Sequence, residues 1–232
     1  MEEYTVFASE MNYANTLTRR REAYHDTALE TQAEATREAK SGTSSIHDIE
    51  HGLRLEQRPP LDADDRAMFV DRVLPSALPL HSYASGDYWP VRSWARSPCR
   101  FTIERSADAV EIHCSFAGPD GSDEALSKRL RFESDGALVV SYRWNPSIGH
   151  PDDRFAPELS LFAPLELRAE PDAEIWTFAI ETVAKSERGL DHTRQGESVT
   201  LRWPVHLGEA LVELGPATRT LIAHAEAGKA AD

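Results

Sequence analysis

Between Cys99 and Leu161 the chain alternates apolar and polar residues with a period of two, and no other feature narrows the fold so far. Phe101 and Ile103, then Val110, Ile112 and Cys114, are interleaved with Thr102, Glu104, Glu111 and His113. The alternation returns at Leu130 and Phe132, at Leu138, Val140 and Tyr142, and at Leu159 and Leu161. Successive side chains of a strand point to opposite faces, so this spacing predicts strands buried on one face, as in antiparallel sheets. Asp120-Gly121 and Asp135-Gly136 supply turns, and 175–182, 199–203 and 210–214 extend the series. Short strands at such intervals predict an all-β antiparallel sandwich, and no repeat of fixed period competes with that reading.

The remaining segments are less regular. Residues 4–8 are β-prone, and residues 26–40, rich in Ala, Glu and Thr, predict a short surface helix that ends in a Ser/Gly/Thr loop. Pro59-Pro60 precedes an apolar run at 67–74, and Pro75, Pro79, Gly86 and Pro90 then punctuate a long connection that reads as irregular. The expected organisation is one domain over 1–215 followed by an Ala-rich tail, 216–232, with the pattern of a frayed C-terminal helix.

Charge excludes whole classes of partner. A net charge of -14 repels phosphate backbones and anionic lipids, and the only basic cluster is Arg19-Arg20-Arg21, so neither nucleic acid nor membrane is expected as a partner. No apolar run is long enough to span a bilayer and no secretion-like pattern opens the sequence, which makes the cytoplasm the expected location. Cys99 and Cys114 lack further ligands at metal spacing; no metal, other cofactor or disulfide framework is expected, and both are read as small packed side chains. Only four of the 25 basic residues are lysines, a bias that fits either a high-salt setting or a genome preferring Arg codons.

Four stretches carry a more specific signal. The first runs from Asn15 through Arg19-Arg20-Arg21 and Tyr24 to His25, and the second is Ser45-Ile46-His47-Asp48. The third runs from Asp65 through Arg66 to Leu74, and the last from Ile180 to Leu190 is followed by Gln195-Gly196 and Arg202-Trp203-Pro204. Together with Phe155-Ala156-Pro157-Glu158-Leu159, these resemble the C-terminal domain of glycoside hydrolase family 57 α-amylases and 4-α-glucanotransferases. The resemblance implies a galactose mutarotase-like supersandwich, with residues 1–8 matching a strand that the family reaches only after several others. It also implies that the catalytic carboxylates belong to an N-terminal β/α barrel that these 232 residues do not contain. A non-catalytic module follows, one that supports a barrel carried elsewhere, on a separate chain or otherwise, and contacts an α-glucan or other carbohydrate. The alternatives are a stand-alone mutarotase-like sugar epimerase and a truncated remnant without activity, its sheet edges unpaired.

Within that reading no residue is assigned to catalysis; if any takes part, His25, His47 and Glu158 are the candidates. Candidates for carbohydrate contact are Arg19, Arg20, Tyr24, His25, His47, Asp48, Trp89, Trp94 and Glu158. The plainer reading makes His25, His47 and Asp48 structural hydrogen bonders and Arg19, Arg20 and Glu22 an ion-pair cluster. Glu181 and Glu187 add carboxylates of the type glycoside chemistry uses in pairs. Trp89 and Trp94, in the irregular connection, are the expected stacking surfaces, whereas Trp176 and Trp203 lie in predicted strands and are read as core.

Overall fold

The computed structural model describes residues 14–41, 55–118, 124–162, 165–186 and 189–215. Residues 4–8, the Asp120-Gly121 turn and the 216–232 tail therefore lie outside the described residues, as do His47, Asp48 and Glu187. Among the described residues no helix is long and apolar enough to cross a membrane.

Two antiparallel sheets form a sandwich. The five-stranded sheet contains β1 (Met68–Leu74), β2 (Arg92–Ser93), β7 (Arg154–Leu161), β9 (Glu174–Ser186) and β10 (Gly189–Pro204), in the order β2-β1-β7-β10-β9. The six-stranded sheet contains β3 (Arg100–Arg105), β4 (Ala109–Ala117), β5 (Glu124–Glu133), β6 (Leu138–Trp144), β8 (Glu166–Glu170) and β11 (Glu209–Gly215), in the order β3-β4-β5-β6-β11-β8. The predicted surface helix is α1 (Ala23–Ser41), starting three residues early, and a second helix, α2 (Leu80–Ser85), interrupts the connection that the sequence reads as irregular. Gly86 ends α2 in the left-handed conformation, φ 80°, and a Cβ there would lie 2.1 Å from the Leu61 carbonyl oxygen.

The alternating residues make the core as the period requires. Leu126, Leu130, Leu138, Val140, Tyr142 and Trp144 of the six-stranded sheet face Phe155, Leu159, Leu161, Leu201 and Trp203 of the other. Trp144 stacks on Phe155 at 4.2 Å between centroids, and its indole N–H donates to the Val205 carbonyl. One polar tie crosses this interior. Lys128 of β5 donates to Asp71 of β1 at 2.6 Å and to the Phe69 carbonyl at 3.1 Å, beside the bulge between Met68 and Val70, where Phe69 holds φ 60°.

Three expectations fail at the edges of this core. Phe101 and Ile103 alternate as a buried face should, yet they are 63 % and 42 % exposed, because β3 is an edge strand whose inward face no described residue covers. Cys99 is exposed just before β3 and not packed; Cys114 is half-buried against the core. Trp94 is 4 % exposed and sits edge-on to Phe155, in the core and not on the surface.

Gly196 lies where the register between β9 and β10 shifts, and a Cβ there would come 2.4 Å from the Leu161 carbonyl oxygen and 3.2 Å from Leu17. Gly196→Ala is expected to destabilise the fold by more than about 1 kcal/mol, because β7 and β10 would have to separate at their pairing. An unchanged midpoint in denaturant unfolding would refute this account of the glycine.

Candidate functional site

The outward face of the five-stranded sheet carries a row of buried polar side chains, with Glu158 of β7 at the centre. Glu158 stands between Val70 of β1 and Thr200 of β10, on the face opposite Phe155 and Leu159, so the strand period sends its carboxylate away from the apolar core. Four donors reach it. Arg66 Nη1 and Ser198 Oγ lie 2.9 and 2.6 Å from Oε1, while Arg72 Nη1 and the Tyr83 hydroxyl lie 2.7 and 2.9 Å from Oε2. Burial pushes the Glu158 carboxyl up, but Arg66 and Arg72, with the Ser198 and Tyr83 hydroxyls, overcome that and hold it at about 2. Tyr83 is raised well above 10, by burial first and by the Glu158 charge second, and so remains a phenol that can donate.

The network continues outward through Asp62. Its carboxylate takes Arg66 Nε and Nη2, each at 2.7 Å, and Arg19 Nη2 at 2.6 Å. Arg19 and Arg66 both lie over the Phe178 ring, at 5.6 and 5.4 Å from its centroid. Arg72 also approaches Asp64 at 3.5 Å, and Asp64 pairs with Arg96. The cavity inside this network measures about 20 Å³, room for a single water and none for a sugar ring.

A second hollow, about 400 Å³, gathers Arg19, Arg20, Glu22, Tyr24, His25 and Glu181. The side chains that would do chemistry there already have partners. His25 Nδ1 accepts the Glu22 N–H at 3.3 Å and Nε2 lies 3.1 Å from the Val183 carbonyl, an arrangement that uses both ring nitrogens in one neutral tautomer. The Tyr24 hydroxyl donates to the same carbonyl at 2.8 Å, so the two rings pin the start of α1 to the end of β9. Arg20 is exposed and pairs with Asp65. Of the tryptophans named from sequence as sugar platforms, only Trp89 is available, at 88 % exposure.

One group among the described residues has metal-like spacing: ligand atoms of Glu104, Glu111 and His113 on β3 and β4 all lie within 4.8 Å of one another. Glu111 is already held by Arg131 at 2.7 Å and Arg129 at 3.3 Å, and two guanidinium groups beside a carboxylate oppose a cation.

Known proteins show the same domain. A family model described as "Alpha-amylase/4-alpha-glucanotransferase, C-terminal" matches residues 1–164 and 161–213. The chain belongs to this family. The 4-α-glucanotransferase of Thermococcus litoralis is 24 % identical over 220 residues, which cover 84 % of this chain and 33 % of that protein. An α-amylase of Pyrococcus horikoshii is 23 % identical, over 84 % of this chain and 30 % of its own length. The crystal structure of the T. litoralis 4-α-glucanotransferase superposes with a TM-score of 0.55 at 18 % identity, covering 85 % of this chain and 31 % of that one. The chain thus spans about a third of the curated relatives it matches.

Three of the segments that carry the family resemblance meet in the network around Glu158. Arg19 comes from the first, Arg66 and Arg72 from the third, and Glu158 itself from the β7 segment. Asp62, Tyr83 and Ser198 are absent from the sequence-derived candidates, as are Arg66 and Arg72 in this role. The spacing of Asp62 and Arg66, four residues apart, was a local signal for that pair; nothing local connects Tyr83 or Ser198 to Glu158.

Removing the Glu158 charge leaves two guanidinium groups buried without their shared counter-ion. Glu158→Gln is therefore expected to cost about 3–5 kcal/mol in denaturant unfolding. Because the folded carboxyl sits near 2 and the ordinary value is 4.5, its contribution is complete above about pH 4.5 and is lost as pH falls toward about 2. Over that window the stability of Glu158→Gln should fall less steeply than that of the wild type; parallel curves would show that Glu158 is not the linked group.

Proposed function

We propose that this chain is the non-catalytic β-sandwich module of an α-amylase or 4-α-glucanotransferase, supporting a β/α barrel that performs the glucan chemistry and contributing to contact with the glucan. One observation carries the reading: the family match covers nearly the whole chain, while the chain accounts for about a third of the relatives' length. The geometry of the central carboxylate supports it. A glycosidase acid or nucleophile must touch the glycosidic bond, and an epimerase base must reach a sugar proton. Glu158 is enclosed by four donors around a cavity of about 20 Å³, and His25 uses both of its ring nitrogens within the fold. Such a network rigidifies a scaffold instead of turning over a substrate.

Two assays test the proposal on the purified chain. Reducing-sugar release from starch or maltoheptaose should not exceed buffer, and α-glucose should mutarotate at its uncatalysed rate. A family barrel produced without its C-terminal domain should gain thermal half-life several-fold when this chain is added or fused to it. Catalysis by the chain alone that is lost in Glu158→Gln or His25→Ala, or a barrel indifferent to the chain, would overturn the assignment.

A further inference from the structure

The two outward faces of the sandwich differ. That of the five-stranded sheet is covered by α2 and the 62–66 segment, whereas that of the six-stranded sheet holds a groove of about 980 Å³ running across the strands from β3 to β8. This is the upper end of the volumes in which proteins hold small ligands, roughly 300–1,000 Å³.

Two rows of outward side chains floor it, each taking one residue from five of the six strands. In the first, Arg100, Ser115, Ser127, Arg143 and Glu209 follow one another in register across β3, β4, β5, β6 and β11. The second places His113, Arg129 and Ser141 side by side and ends with Leu211 beside Glu170. Neighbouring strands lie about 4.8 Å apart, so the first row offers a polar group at regular intervals to a chain lying across the sheet, and the second does so except at Leu211.

Lys128 lines the groove but turns its ammonium inward to Asp71, and the remaining charges balance: Arg100, Arg129 and Arg143 oppose Glu124, Glu170 and Glu209. Arg129 is paired with Glu111 beside the groove at 3.3 Å, and the other charges are held more loosely. Arg143 and Glu209 are 81 % and 72 % exposed at 3.9 Å, and Arg100 has no ion pair among the described residues. Guanidinium and carboxylate groups on one surface, with serine hydroxyls among them, give and accept hydrogen bonds without creating a net field. An anion gains little there and is repelled by the chain's net charge of -14. A neutral ligand carrying hydroxyls at regular intervals satisfies both kinds of group.

We infer that the outward groove of the six-stranded sheet binds a neutral glucan chain laid across the strands. This rests on the proposed role in α-glucan chemistry for the identity of the sugar, and on the groove alone for its neutrality and direction. Neither row carries Phe, Tyr or Trp, and Phe101 lines the groove only at its β3 end, so binding along the rows comes from polar pairing and should be enthalpy-driven.

Hydrogen exchange of the full chain with and without maltoheptaose, together with calorimetric titration, tests the inference. Protection is expected within 113–115, 127–129, 141–143 and 209–211, and Arg143→Ala combined with Ser127→Ala should weaken binding by about tenfold or more. Trp89→Ala should leave the affinity unchanged. Protection confined to Trp89 or to the Tyr24 hollow, unchanged affinity in the double variant, absence of any maltoheptaose binding, or preference for dextran sulfate would each overturn the site. Protection of the same strands by a family barrel instead of the sugar would also overturn it, by making the groove a protein interface. Barrel stabilisation is read separately: a double variant that no longer binds maltoheptaose but still prolongs barrel activity leaves the module assignment and the groove both standing.

Discussion

The carboxylate of Glu158 is taken out of water and then surrounded by two guanidinium groups and two hydroxyls, and much of the sandwich is arranged around that exchange. Desolvation alone would push its carboxyl up. The donors reverse the outcome because they arrive from separate parts of the chain: Arg72 from β1, Ser198 from β10, Tyr83 from α2 and Arg66 from the segment that precedes β1. A charge that needs all of these partners makes their placement interdependent, since displacing one leaves others buried without a counterpart. Asp62 extends the same logic to Arg19, so the approach to α1 is tied to the sheet through charge as well as through Tyr24 and His25.

Arginine suits this task in a way lysine would not. Arg66 spans Asp62 and Glu158 with one planar group while lying over the Phe178 ring, which demands several donors in a fixed fork. The one buried lysine with an ion pair among the described residues, Lys128, makes a point contact to Asp71 inside the core. The scarcity of lysine therefore has a structural use in this network, whatever its origin in salt or codon preference.

The same network separates the two faces of the molecule. Covering the five-stranded sheet with α2, the 62–66 segment and the Glu158 cluster fills the space around Glu158, and the larger open groove lies on the other sheet. A domain of this kind contributes rigidity on one side and surface on the other, which is compatible with a role beside a catalytic barrel.

How much of this was legible in the sequence depends on the length scale of the signal. Period two located β4, β5, β6 and β7 correctly, because the pleat acts on each residue and its immediate neighbours. It misjudged Phe101 and Ile103, since alternation marks a face as apolar but does not say whether another sheet extends over it. Trp94 was misplaced for another reason: it belongs to a connection rich in turn residues, which reads as surface, yet it folds back onto Phe155. Glu158 was singled out as a carboxylate in a specific motif, but its meaning as a saturated structural charge depends on Arg66, Tyr83 and Ser198, at sequence separations of 92, 75 and 40 residues. By itself the sequence determined an antiparallel sandwich and its family, for strand periodicity and motif order are written locally along the chain. The tertiary structure decided which polar groups are sealed and which are left facing solvent, because that depends on which distant side chains arrive beside them and what they exclude from water.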